Sequence, residues 1–494
     1  MSKVKKCCAL LVILLFLFSC GDSATDDING GMEDGSNKET ENLSDEGKRG
    51  DSAADRIEPD LPEKDFEGYT FTFLTHSGQT WDWVSTEPLE LVAEEETGEP
   101  INDAVYRRNM QIMEKYNVEF EMILGGNAEV TALRRAVGAG DSMYDAAVIF
   151  NNNIPTAVTS DLLINIDSLP YVDLEKPWWD PAVNSMSIDN KNFLLGGDLL
   201  ILDNEATNAL LFSKKLTADL GLELPYKSVI ESKWTMDKMN EMIRVAAADL
   251  DGDGMMGMDD RWGWYVYSDT LHALLVSGGG TLASKDENDI PYMDFASTIN
   301  LRILEKAMDL MYNPDYVVNN KTSSFNADGA FREGRLLFMW VRMREVERLR
   351  DMESDFGIVP MPKTDDLQEN YHSVVNPYTG VLLGVSKSAE NLERVSIILE
   401  ALSAESRYTL QPAYYDVVLT RKFARDEESE EMLDIIFNSR VYDIGAVYSF
   451  SGIFLSFIDL SLNFDRNVSS FYEARVDRMQ AAIDKVVETF QAME

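Results

Sequence analysis

The densest run of hard oxygen ligands in this chain of 494 residues is Asp249-Leu250-Asp251-Gly252-Asp253-Gly254-Met255-Met256-Gly257-Met258-Asp259-Asp260. Carboxylates at its first, third and fifth positions, Gly at the sixth for a sharp turn, and an acid at the twelfth follow the spacing of a calcium loop. A hard cation takes about six to eight oxygens, so Asp249, Asp251, Asp253 and Asp260 with the Met255 carbonyl are the expected Ca2+ ligands. Asp stands at the twelfth position where Glu is usual, which shortens its bidentate reach. A helical pattern precedes the loop and the strand-like WGWYVY follows it, so this is half of a helix–loop–helix unit at most. The expected role is structural, pinning a helix-to-strand connection; an acidic turn that holds no ion is the alternative.

Other chemistry is sparse. Cys7, Cys8 and Cys20 are the only cysteines and all lie at the N-terminus. Disulfides, zinc–thiolate sites and cysteine nucleophiles are therefore excluded from the rest of the chain. There is no GxSxG elbow, HExxH helix or Walker loop, and there are only 3 histidines. A glycoside hydrolase needs two carboxylates about 5–9 Å apart. Among 86 acidic residues such pairs arise by chance and carry no signal. The expectation is a protein that is not an enzyme, with hydrolase activity as a minor alternative. Those 86 acids against 44 Lys and Arg give a formal charge of -42. Nucleic acid is excluded as a partner, because a phosphate backbone calls for a basic face. The same repulsion disfavours docking of the folded body on anionic lipid.

The N-terminus carries an address. Lys3, Lys5 and Lys6 precede an apolar run from Cys7 to Phe18. That run is too short for a spanning helix, which takes about 20 residues, and has the length of a signal-peptide core. Leu17-Phe18-Ser19-Cys20-Gly21 resembles a bacterial lipobox, which implies a signal peptide over 1–19 and lipidation of Cys20. Multiple acyl chains hold firmly where one would not, at about 0.8 kcal/mol per buried methylene. An ordinary cleaved leader with an incidental cysteine is the alternative. Residues 20–62 are rich in Asp, Glu, Gly, Ser and Asn and nearly devoid of large apolar side chains, so they read as a disordered acidic tether. About 40 such residues span roughly 35 Å.

Strands and helices alternate beyond the tether. Tyr69–Thr75, Val118–Leu124 and Tyr144–Phe150 read as strands, separated by helical patterns over Ile101–Tyr116 and Ala128–Gly138. The rhythm continues through Ala209–Ser213, Met236–Ala248, Ile299–Met311, Leu336–Trp340, Gly357–Val359, Gly380–Gly384 and Leu392–Ala401. An amphipathic helix over Ser469–Ala492 ends it. The class is α/β, with no internal repeat.

The leader, tether and body together resemble an extracellular solute-binding protein of family 1, the sugar-binding lipoproteins of ABC importers. The segments carrying the resemblance are INDAVYRRNMQIMEKYNVEFE, KPWWDPAVN, NEATNALLFSKKL, KWTMDKMNEM, DLDGDGMMGMDDRWGW, DFGIVPMPKTD and ESRYTLQPAYYDVVLTRKFARDEESEEMLDIIFNSRVYDIG. The resemblance implies a periplasmic-binding-protein-like type II fold, two lobes joined by crossing strands. One lobe is expected at 66–205 and 372–425, the other at 206–371 and 426–494. It also implies a monomer on the outer face of the cell membrane, held only by its lipid anchor, that captures a small polar solute. Sugar or oligosaccharide is the expected solute, delivered to the transmembrane subunits of an ABC permease; presentation to a sensor or adhesion partner is the alternative.

A sugar offers hydroxyls at its edge and C–H patches on its faces, which calls for polar side chains at strand ends and rings beneath. By the resemblance, the ligand contacts fall on Thr75 and His76 after the first strand and on Asn151 and Asn152, followed by Asn153, after the third. Further contacts are expected from Glu205 beside Asn204 at the crossing, Tyr267 and Asp269 with His272 beyond, and Trp340 and Arg342. Trp81 and Trp178, with Trp83 and Trp179, are the candidate stacking rings of the first lobe. Core packing is the alternative for each ring, a turn for the asparagines, and a surface ion pair for Arg342 and Arg344.

Overall fold

The computed structural model describes residues 56–493 apart from 79, 82, 83, 86, 321–324, 350 and 423–426. The expected leader, Cys20, most of the tether and Trp83 lie outside the described residues. From Arg56 the chain already rests on the body. Its guanidinium pairs with Glu405 and lies over the Tyr408 ring, and the Ile57 N–H donates to the Tyr408 hydroxyl at 2.8 Å.

The chain runs β1 (Tyr69–Thr75), α1 (Pro100–Tyr116), β2 (Val118–Leu124), α2 (Glu129–Ala139), β3 (Ala146–Phe150), α3 (Leu202–Glu205) and β4 (Asn208–Ser213). It continues through α4 (Met236–Ala246), β5 (Trp262–Val266), α5 (Thr298–Met311), β6 (Val317–Asn319), β7 (Leu336–Arg342), β8 (Phe356–Val359), β9 (Val381–Val385), α6 (Leu392–Tyr408) and α7 (Val476–Ala492). Local chemistry sets several of these boundaries. Pro100 starts α1 where its missing N–H costs nothing, and Asn117 ends it in the left-handed region at φ 51°. Thr235 caps α4 by accepting from the Lys238 N–H, and Met236, Met239, Met242, Ile243 and Ala246 form its buried stripe. Each large side chain in that stripe contributes about 1.5–3 kcal/mol of burial.

Two α/β lobes result. One is built on a four-stranded sheet in the order β9-β3-β1-β2, the other on a five-stranded sheet in the order β6-β5-β7-β4-β8. The central pairs are parallel, and β3 is buried along its whole length, as expected for a sheet covered on both faces. β9 pairs antiparallel with β3, and β4 antiparallel with β7 and β8. These are the strands that enter a sheet directly after the chain changes lobe. The crossings run side by side: Thr207 bridges to Val375, the Asn376 N–H donates to the Ala206 carbonyl at 3.0 Å, and Ser373–Val374 pairs with Arg440–Val441.

The expected final helix is two, Val468–Glu473 and α7, because Arg475 leaves helical geometry at φ -131°. Among the described residues no helix is long and apolar enough to cross a membrane.

Candidate functional site

Thr75 and His76 end β1, Asn151 follows β3, and Asn208 opens β4 beside the crossing. Tyr267 and Asp269 follow β5, and Trp340 and Arg342 lie near the end of β7. Parallel strands bring their carboxyl ends to one edge, so the two sheets present these residues near the lobe crossing. His76 lies against Phe150 with ring centroids 4.2 Å apart. A Cβ on Gly380, just before β9, would stand 2.8 Å from Asn151 Nδ2, and the Asn376 amide donates to Asp269 Oδ2 at 2.9 Å. The strand ends of one lobe are thereby linked through the returning chain to those of the other.

These groups share a defect that a folded interior normally avoids. Among the described residues, buried Thr75 Oγ1, both ring nitrogens of His76, both carboxylate oxygens of Glu90 and both side-chain polar atoms of Asn151 lack a hydrogen-bond partner. So do Asn208 Oδ1, Asp269 Oδ1 and Trp340 Nε1. Buried polar groups are nearly always satisfied, and each exception costs about 1–3 kcal/mol. Others, such as Trp264 Nε1 and the Tyr414 hydroxyl, lie in the core, but those gathered at this edge leave a set of donors and acceptors open beside the crossing.

Rings adjoin this edge. Tyr267 and Trp340 stack at 5.9 Å and 15°, and Tyr265 and Phe325 at 5.9 Å and 23°. All four line a cavity of about 180 Å³ whose polar wall includes Asp328, Glu345 and Arg348. The Arg342 guanidinium lies 5.3 Å from the Trp340 centroid and 6.0 Å from that of Tyr267.

Charge is paired internally. Arg342 Nε donates to Glu345 Oε1 at 3.0 Å, both side chains buried, and Arg344 pairs with Glu205. Neither arginine makes the surface pair open to it from the sequence. Burial, reinforced by the Arg344 charge, lowers His76 to about 4, although the Ser77 backbone opposes it. Burial raises Glu90 to about 8, opposed by its own backbone N–H and by Arg344, with Glu205 and Asp203 adding.

Thr75, His76, Asn151, Glu205, Tyr267, Asp269, Trp340 and Arg342 are thus gathered at the lobe crossing. Other expected residues turn away from that edge or are already bonded within the chain. Trp178 is part of the core: it is 0% exposed and its indole N–H donates to Glu400 Oε1 at 3.0 Å, as Trp179 does to Oε2 at 2.8 Å. Gly197, at φ +142°, lets its backbone close over that pair; a Cβ there would meet the Trp178 carbonyl at 2.2 Å. Asn152 turns outward to solvent, while its N–H donates to the Pro377 carbonyl. Asn153 donates to Glu129, His272 is buried against Asp443 at 2.9 Å, and Asn204 accepts from Arg440. The Trp81 side chain lies outside the described residues. Sequence reasoning missed Glu90, Asn208, Tyr265, Phe325, Glu345 and Asn376.

The acidic loop joins α4 to β5, the helix-to-strand connection read from its pattern. Asp249, Asp251 and Asp253 are exposed and hold carboxylate oxygens within 4.8 Å of one another. Their other bonds shape the turn: Asp249 accepts from the Gly252 and Gly254 N–H groups, Asp251 from Asp253, and Asp253 from Met255. Asp260 is buried and accepts from the Leu250 and Gly257 N–H groups at 2.7 and 2.6 Å, outside that converging trio. Hard carboxylate donors at this spacing suit a hard divalent cation.

The family model described as bacterial extracellular solute-binding protein matches residues 95–393, more than half of the chain. Among curated proteins no sequence matches. Among solved structures, a sugar transporter from Rhizobium etli in an open conformation is similar with a TM-score of 0.56 at 14% identity, over 86% of this chain and 100% of that one. The apo form of RafE from Streptococcus pneumoniae gives 0.53 at 12% identity, over 85% and 98%. A cyclo/maltodextrin-binding protein complexed with maltotetraose gives 0.52 at 12% identity, over 85% and 96%. Identities this low speak for the fold, and the fold is the two-lobed α/β architecture already traced. With that architecture, its crossing strands and the matched family model, this chain belongs to the bacterial extracellular solute-binding proteins.

Proposed function

We propose that this protein is a lipid-anchored receptor on the outer face of the cell membrane. It captures a sugar or oligosaccharide between its lobes and delivers it, unaltered, to the permease of an ABC transporter. The observation that carries the reading is the set of unpartnered buried polar atoms beside stacked rings at the lobe crossing. Hydroxyls would satisfy the first and C–H faces the second. The lobes divide at 66–205 with 372–425 and 206–371 with 426–494; ligand touching both selects the closed form, which the permease recognises. Cys20 carries the anchor, and the receptor acts as a monomer. The solved relative holding maltotetraose supports a carbohydrate solute. Calorimetric titration with neutral oligosaccharides, maltotetraose among them, should give saturable binding and return the sugar unchanged. Binding of none, or recovery of a cleaved product, rejects the reading.

The acidic loop is proposed as a structural calcium site. Asp249, Asp251 and Asp253 supply oxygens, with the Met255 carbonyl and Asp260 as the loop spacing implies. Chelation by EDTA should lower the melting temperature by a few degrees, restored by excess Ca2+ and absent in Asp251→Asn. A melt insensitive to EDTA counts against the ion.

A further inference from the structure

Glu90 has the most anomalous environment of the acids near the crossing. It is 0% exposed, and neither of its carboxylate oxygens has a hydrogen-bond partner among the described residues. Its charged surroundings come from several elements: Glu205 and Asp203 on α3, Arg344 just after β7, and Arg108 on α1. Arg108 does not bond the carboxylate. Its N–H groups go to Asn109 Oδ1, Ser406 Oγ and the backbone carbonyls of Glu90 and Leu91. Arg344 is taken by Glu205. A carboxyl left this way is costly unless a group from outside completes it.

The rest of the site carries its charges in pairs. Arg342 is held by Glu345, Arg344 by Glu205 and Arg348 by Asp328 at 3.5 Å, so an acidic ligand would find these guanidiniums engaged and further carboxylates close by. An amino sugar would find Glu205 and Glu345 already neutralised and Asp269 within the field of the Arg342 charge. What stays open is a mixture of donors and acceptors: the Thr75 hydroxyl, the His76 ring nitrogens, the Asn151 amide, Asp269 Oδ1 and the Trp340 N–H. That mixture matches hydroxyls, which both give and take hydrogen bonds.

Resting on the solute-binding reading above, we infer that the ligand is an uncharged, hydroxyl-rich saccharide, and that Glu90 is a specificity-determining residue that hydrogen-bonds it. Burial agrees, holding Glu90 up to about 8 and His76 down to about 4, so both are uncharged near pH 7. Glu90 then offers one O–H donor and one acceptor, and a ligand anion beside it would be desolvated next to Arg344 and Arg108, which already have partners.

The test is calorimetry at pH 7 on the full chain. Three panels of matched length are used: neutral gluco-, galacto-, manno- and xylo-oligosaccharides, oligogalacturonates, and glucosamine oligomers. The neutral panel should contain the tightest binder, with charged oligomers at least tenfold weaker. A charged oligomer binding tighter than every neutral one overturns this inference while leaving the saccharide reading intact. Silence from all three panels rejects both. With the tightest binder, Glu90→Ala should weaken affinity more than tenfold. Glu90→Gln, which keeps a donor and an acceptor without charge, should recover most of that loss. Unchanged affinity in Glu90→Ala, or a Glu90→Gln as weak as Glu90→Ala with circular dichroism intact, overturns the role of Glu90.

Discussion

Trp178 and Trp179 beside the four-stranded sheet and Trp340 in the five-stranded sheet are almost equally buried, at 0%, 5% and 3% exposed. Their indole N–H groups differ. Glu400 on α6 takes both N–H groups of the first pair, one on each carboxylate oxygen. Trp340 Nε1 has no partner among the described residues, and its ring stacks on Tyr267 at the wall of a cavity. Burial therefore does not separate a packing tryptophan from a binding one. The indole N–H separates these three, and the cavity beside it separates Trp340 from Trp264, whose N–H is also unmet but lies inside the core.

The comparison breaks first at Trp178. Trp178→Ala removes a ring from a closed core and frees one Glu400 oxygen, so stability should fall by about 3–5 kcal/mol. Affinity of the protein that still folds should stay within about twofold. Urea denaturation and calorimetry measure the two separately. A large loss of affinity with little loss of stability would return Trp178 to the site.

Trp340→Ala should invert that ratio. The stacked platform beside Tyr267 is lost, costing about 2 kcal/mol of binding, or roughly thirtyfold in Kd. The melting temperature should drop less than in Trp178→Ala, since one side of the ring borders a cavity. Equal losses of stability in the two variants with affinity intact would make Trp340 a core residue.

The same contrast explains what the sequence made legible. β1 and β2 run over Tyr69–Thr75 and Val118–Leu124, the spans read from their residue patterns, since alternation and apolar runs are local signals. Most strand-end candidates followed from placing the strands together with the family resemblance. Trp178 did not, because the acid that claims it lies 222 residues away in sequence. Glu90 stands in an acidic stretch, LELVAEEE, that reads as solvated surface, and only the packed lobes reveal it as buried. Asn376 reaches Asp269 only because the chain returns across the crossing, a contact no periodicity encodes.

Glu400→Gln sharpens the comparison with the smallest effect. The glutamine oxygen can accept from one tryptophan, while its amide meets the other N–H donor to donor, so stability should fall by about 1 kcal/mol. The loss should also depend on pH. Burial raises Glu400 from 4.5 to about 7, against the Trp179, Asp173 and Trp178 hydrogen bonds that favour its anion. A folded-state value above the unfolded one means the native protein holds the proton more tightly. Its stabilising contribution is then complete below about pH 4.5 and is lost as pH rises through 7. Glutamine does not titrate, so the deficit of Glu400→Gln should be largest near pH 4.5 and narrow toward pH 8, read from paired denaturation curves. A deficit that widens with pH would mean Glu400 is held as the anion. The two indole N–H groups would then outweigh burial, and the closed Trp178–Trp179 core would be a charge-assisted lock instead of a neutral one.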